Sequence, residues 1–221
     1  MIRSIDASSL TYSAKVLTRP IRHGFPRLIR QVKQQLGYDY TQLARVVMYK
    51  ELFNFVSGIR PEELDALEIS PGVKWQTLGF RSFTGASYPD FDICGDKLDK
   101  TFDVVIADQV FEHLLWPYRA GQNVFKMLNP GGYFIITTPF LIRIHNHPTD
   151  CTRWTETGLR YFLAECGFEL EQVITGSWGN RSCVKANLRP NHWESRGWRS
   201  FLKNEREYPV AVWAIAKKNE G

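Results

Sequence analysis

The chain has 221 residues, 43% of them apolar and 14% aromatic, with a net charge of +5. That length and composition fill one large domain with an appendage and exclude a disordered chain. No apolar run is long enough to cross a bilayer, and Met-Ile-Arg-Ser-Ile-Asp-Ala-Ser-Ser-Leu at the start has no signal-peptide segment, so a cytoplasmic location is expected. Cys94, Cys151, Cys166 and Cys183 form no CxxC pair and read as reduced thiols.

The charge is uneven. Residues 1–50 hold nine Lys or Arg against Asp6 and Asp39, a net of +7, which leaves −2 for the rest of the chain. Such a segment suits a phosphate-bearing substrate, nucleic acid or anionic membrane face, and equally a solvated helical face.

Two helices are expected between Phe25 and Ile59. Pro26 opens the first, Gly37 stops it, and Leu43, Val46, Val47, Leu52, Phe53 and Val56 form the buried stripe of the second. The pattern then changes to strands. Leu64–Gly72 is a short strand ending in a Gly-containing turn, Val73–Phe80 a brief strand or turn-strand piece, and Phe91–Cys94 another extended segment. Phe102–Ala107 is the strongest strand, followed by a helix over Tyr118–Leu128. Asn129-Pro-Gly-Gly132 is a turn and Tyr133–Thr138 a buried strand. Thr157–Cys166 is helical and closed by Gly167, and Phe168–Thr175 with Val210–Ala216 make a final strand pair.

This order predicts a doubly wound α/β fold. Residues 178–208, rich in Trp, Arg and Asn, interrupt it as an insertion. A buried parallel strand is apolar on both faces. The Asp108, Glu112 and His113 that follow Phe102–Ala107 therefore point to a crevice at the carboxyl edge of the sheet.

Four stretches in order, Glu68-Ile-Ser-Pro-Gly72, Phe102-Asp-Val-Val-Ile-Ala-Asp-Gln-Val-Phe-Glu-His-Leu114, Leu128-Asn-Pro-Gly-Gly132 with its strand to Pro139, and Gly158–Phe168, resemble the class I S-adenosylmethionine-dependent methyltransferases, with a type 11-like domain. The resemblance spans about residues 61–216. It implies a mainly parallel seven-stranded Rossmann-like sheet with an antiparallel last strand over 61–221, preceded by a basic helical segment over 1–60.

It also implies S-adenosyl-L-methionine as cofactor, held by Glu68, Ser70, Gly72, Asp92, Asp108 and Gln109. A strand ending in a carboxylate and a glycine lets backbone approach a ligand while the carboxylate meets its ammonium or hydroxyls. The turn departs from the family: Ser70 and Lys74 stand where two glycines are usual, and no acid ends a second strand.

His145-Asn-His-Pro-Thr-Asp-Cys-Thr-Arg-Trp-Thr155 carries the acceptor chemistry. Methyl transfer needs a positioned acceptor and removal of its proton, and histidine is the natural base for a hydroxyl. His145 or His147 is the expected base, oriented by Asp150. Arg153, His113, Trp154 and Trp178 are the expected substrate contacts, Arg153 for a carboxylate or phosphate. The alternative role for Asp150 is to cap the next helix and pair with Arg153.

No metal is expected. His145, His147 and Asp150 with His113 could supply ligands, but their spacing matches no familiar zinc pattern. The expected function is methylation of a hydroxyl on a small molecule or saccharide. The alternatives are a non-catalytic interaction protein of the same fold and, with less support, an RNA methyltransferase; no nucleic-acid module is present. The insertion's tryptophans serve as an acceptor wall or as a homodimer contact.

Overall fold

The computed structural model describes residues 24–36, 38–190, 193–197 and 203–220. It divides into two compact units, 1–38 and 39–221. The first contains helix α1, Gly24–Gln35, which leaves Ile29 and Val32 exposed.

In the second unit a six-stranded sheet runs in the order β2-β1-β3-β4-β6-β5. The strands are β1 Asp65–Ile69, β2 Ser82–Ala86, β3 Phe102–Asp108, β4 Leu128–Pro139, β5 Val173–Trp178 and β6 Ala211–Lys217. β2, β1, β3 and β4 are parallel, and β6 lies antiparallel between β4 and β5. The mainly parallel Rossmann-like architecture is as expected, with six strands instead of seven.

The difference lies between Ala86 and Phe102. Phe91–Cys94 is a turn: the Asp92 carboxylate accepts from the Cys94 amide (2.9 Å) while the Asp96 carboxylate accepts from the Asp92 amide (3.0 Å). Asp and Asn side chains that bond nearby amides compete with a sheet ladder. Val73–Gln76 is one helical turn, α3, and the strand expected there is β2. Asn129-Pro-Gly-Gly132 lies inside β4, where the register with β3 shifts between Phe102 and Val104. Both glycines are required there: Gly131 has φ +76°, and a Cβ on Gly132 would meet two carbonyl oxygens at 2.9 and 3.0 Å.

Alternation along the strands builds a core on each face. Val105, Ala107, Phe134, Ile136, Val212 and Ala214 face α4, Pro117–Met127, and α5, Glu156–Glu165. Val104, Ile106, Ile135, Trp213 and Ile215 face α2, Leu43–Gly58, with Trp75 of α3 and Cys183 of α6, Arg181–Asn187. α2 buries Leu43, Ala44, Met48, Leu52 and Val56, so it belongs to the main unit, and the break falls at residue 38 rather than near 60.

The chain winds from β1 outward to β2 and then crosses to β3 on the other side. The crevice at the carboxyl ends of β1 and β3 is therefore the place where an open α/β sheet takes a ligand.

Candidate active site

β1 delivers Glu68 and the turn Ser70–Gly72 to this crevice. Glu68 is 1% exposed, and its Oε2 has no hydrogen-bond partner among the described residues. Burial pushes its carboxyl up to about 7, against the opposing pull of the Gly72 amide. Ser70, standing where a glycine is usual, holds φ +56°, a left-handed conformation costing about 1 kcal/mol that marks constraint at the turn. A Cβ on Gly72 would meet only Glu68 Oε1, at 3.9 Å, so the space beside that backbone is open.

β3 delivers Asp108 and Gln109. Asp108 is a hub: Oδ2 accepts from the Tyr49 hydroxyl (2.6 Å) and the Trp75 indole (3.1 Å), and Oδ1 accepts from the Thr137 hydroxyl (2.7 Å). Trp75 thus sits in the core between Tyr49 and Phe53, clear of the Gly72 backbone, with its N–H spent on Asp108. Gln109 (φ +59°) accepts from Arg45 of α2 at 3.2 Å and donates to Thr137 at 3.1 Å. Burial lowers the pKa of Lys74, whose ammonium lies 4.0 Å over the Tyr49 ring.

Of the expected cofactor contacts, Glu68, Gly72, Asp108 and Gln109 gather at the β1 and β3 tips. Asp92 does not join them, because its carboxylate closes its own turn. The residues at these tips fit the polar end of the cofactor: a bare buried carboxylate oxygen and an open glycine backbone at β1, and the cation Arg45 bonded to Gln109 at β3. At the tip of β2, Ser82-Phe-Thr-Gly-Ala supplies no carboxylate for a ribose, and the Pro71 ring fills the space over Gly85, where a Cβ would approach it to 2.6 Å.

The loop after β4 returns over a short 3-10 turn, Phe111–His113, and is strapped to it. The Glu112 carbonyl accepts from the Cys151 amide (2.7 Å), and the His113 carbonyl accepts from the Thr149 hydroxyl (2.9 Å). The His113 ring donates through Nδ1 to the Thr149 carbonyl. Asp150 accepts a two-pronged grip from Arg153 and the His145 amide (2.8 Å), and its Oδ2 lies 3.1 Å from His145 Nδ1. Burial works to raise the Asp150 carboxyl, but these partners outweigh it and hold the group below its ordinary value. His145 is lowered, chiefly by burial.

His145 and His113 meet edge to face with centroids 5.1 Å apart. Beneath them Glu112 is 1% exposed, and neither of its oxygens has a hydrogen-bond partner among the described residues. Burial pushes its carboxyl up to about 7.

A cavity of about 360 Å³ opens beside His145, walled by Gln42, Arg45, Gln109, Trp193 and Glu194. Gln109 of the β3 tip and His145 of the loop after β4 line the same space. His147 is exposed and outside this wall. Trp178, the last residue of β5, is buried in the core, and Trp154 packs on Phe162, with one edge on a second cavity beside Trp116 and Tyr118. Asp150 does not cap α5. Thr155 does, its hydroxyl accepting from the Gly158 amide at 3.0 Å.

Arg45 and Glu194 escaped the sequence reading. For Arg45 the available signal was a lone cation within an otherwise apolar helix turn, Leu43-Ala-Arg-Val-Val47.

Residues 88–136 match the family model described as a methyltransferase domain. A protein of Mycolicibacterium smegmatis named "Probable S-adenosylmethionine-dependent methyltransferase" is 31% identical over 101 residues, covering 40% of this chain and 39% of the relative. The match thus spans about two fifths of that relative's length. A solved S-adenosylmethionine-dependent methyltransferase from Thermotoga maritima superposes with a TM-score of 0.51 at 12% identity, over 90% of this chain and 100% of that one, and so shares the fold. Among the described residues no helix is long and apolar enough to cross a membrane. Over residues 88–136, and over the 101 residues shared with the relative, this chain is similar to S-adenosylmethionine-dependent methyltransferases, whose fold it shares.

Proposed function

We propose that this chain methylates a hydroxyl group of a small molecule or saccharide. The observation that carries the reading is a cavity bordered by both Gln109, at the cofactor edge, and His145, whose ring Asp150 holds.

S-adenosylmethionine supplies a methyl group on a sulfonium sulfur. The chain's own residues do the rest. Glu68, the Gly72 backbone, Arg45 and Gln109 hold the polar end of the cofactor. The acceptor hydroxyl loses its proton through His145. Asp150 engages Nδ1 of that ring and orients it, while Arg153 anchors Asp150. Trp193, 6.0 Å from His145 and covered by the Arg143 guanidinium at 3.9 Å, offers a flat wall to a polyhydroxylated ring.

Calorimetric titration with S-adenosylhomocysteine tests the cofactor half. Binding is expected, and its loss in Gly72→Val, where valine at φ −112° is unstrained but enters the open space. No heat from the wild type refutes it. With sugar and small-molecule acceptors, His145→Ala is expected to lower turnover by about 10²–10⁴-fold and His147→Ala to leave it unchanged. Full turnover in His145→Ala refutes the acceptor half.

A further inference from the structure

We propose that Glu112, His113 and His145 form a binding site for a divalent first-row transition-metal ion at the wall of the acceptor cavity. One ligand atom from each of the three residues lies within 4.8 Å of the others, and His113 Nε2 stands 3.5 Å from Glu112 Oε1. Tetrahedral coordination with bonds of about 2.0–2.2 Å spaces neighbouring ligand atoms about 3.4 Å apart. The Glu112–His113 edge already has that spacing, and the His145 atom lies within 4.8 Å of both.

The protonation pattern points the same way. A carbonyl oxygen can only accept, so His113 Nδ1, which faces the Thr149 carbonyl, carries the hydrogen and Nε2 carries the lone pair. His113 therefore presents an Nε2 lone pair. This is the arrangement by which a carbonyl or carboxylate orients a metal-bound imidazole. His145 Nδ1 lies between Asp150 Oδ2 at 3.1 Å and the donating Arg153 guanidinium at 3.3 Å, which pull its hydrogen in opposite senses.

The independent observation is Glu112: a carboxylate 1% exposed, with both oxygens unpartnered among the described residues and one of them facing the His113 lone pair. Acceptor atoms do not converge without something positive between them, and a buried carboxylate left unmet is costly. Two imidazoles and one carboxylate favour zinc, iron, cobalt or manganese over magnesium or calcium, which prefer all-oxygen sites. Three protein ligands leave coordination positions open. His145 also lines the cavity, so an ion here borders the acceptor, and a cation beside a hydroxyl favours its deprotonated form. The site rests on the reading of this wall as the place where the acceptor loses its proton; with the ion bound, the His145 lone pair is spent on it, and the charge of the ion rather than a free ring promotes that loss.

The test uses the full chain, stripped with chelator and titrated calorimetrically with Zn²⁺, and with Co²⁺ to read its visible absorption. One ion per chain is expected, with a rise in Tm on loading and a Co²⁺ spectrum of nitrogen–oxygen ligation. Glu112→Gln, His113→Ala and His145→Ala should each weaken binding at least tenfold, and Asp150→Asn about 10–100-fold through the orientation of His145. His147→Ala should bind as the wild type. Glu112→Gln preserves shape and removes a buried charge, so it tests the site even if a histidine variant fails to fold. No ion bound, or unchanged affinity in Glu112→Gln, overturns the proposal, the convergent lone pairs then sharing a proton. Methyl transfer undiminished in the stripped protein, with no ion bound, overturns the metal site and leaves the methyltransferase reading intact. An ion bound through these residues with no methyl transfer to any acceptor supports the site and removes that reading.

Discussion

At the scale of single residues the crevice is built from groups held away from their preferred states. Glu68 is the clearest. Its carboxyl is pushed up to about 7 by burial, above the ordinary 4.5. A folded-state value above the unfolded one means that folding favours the protonated acid. The associated stability is fully present below about 4.5 and is lost as pH rises through about 7, where the folded chain must carry a buried carboxylate with a bare oxygen. Glu68→Gln keeps the shape and removes the charge. It should raise stability at pH 8 by about 1–3 kcal/mol and change it little at pH 5, read from thermal melts at the two values. Equal shifts at both, or destabilisation at pH 8, contradict the assignment. The same substitution should weaken S-adenosylhomocysteine binding, a trade of stability against function usual at ligand sites.

At the scale of elements, helix ends and strand crossings decide the local geometry. α5 ends on Gly167 at φ +117°, and a Cβ there would press on the Phe125 ring at 3.1 Å. Gly167→Ala combines strain with overlap and should cost about 1–3 kcal/mol in urea unfolding. Gly58, the last residue of α2, has nothing within 4 Å of the place a Cβ would take, so Gly58→Ala should be neutral or stabilising by up to about 1 kcal/mol. Similar losses in both variants would mean that backbone freedom in general, and not the Phe125 contact and left-handed turn, sets the cost. Gly167 was legible in the sequence as a helix stop, as were β3, α4 and α5, because their periodicity and caps act within a few residues. β2 was not: Ser82-Phe-Thr-Gly-Ala has little apolar alternation, and it is a strand because all five residues pair with β1. The Asp108 hub was equally hidden, since Tyr49, Trp75 and Thr137 reach it across 59, 33 and 29 positions of chain. The Asp150–Arg153 pair was visible because it is local, whereas the union of Glu112–His113 with His145 needs the loop strapped back across 36 residues.

At the scale of the whole molecule, charge and core lie in different places. Residues 1–38 carry seven Lys or Arg and one Asp, a net of +6, leaving −1 for residues 39–221 of a chain whose total is +5. Among the described residues the buried apolar core begins at Leu43. Deleting 1–38 therefore removes most of the positive charge and none of the described core. The shortened chain should unfold in one cooperative transition with a Tm within a few degrees of the full chain, because stability follows buried apolar area rather than net charge. It should also lose retention on a cation exchanger at pH 7. If the basic segment helps to gather an anionic acceptor, the apparent KM for phosphorylated sugars should rise in the truncated chain while kcat stays unchanged, and the difference should vanish at high salt, where screening shortens the reach of surface charge to about 3 Å at 1 M. A salt-independent loss of kcat would instead make residues 1–38 part of the catalytic unit, which the start of the core at Leu43 argues against.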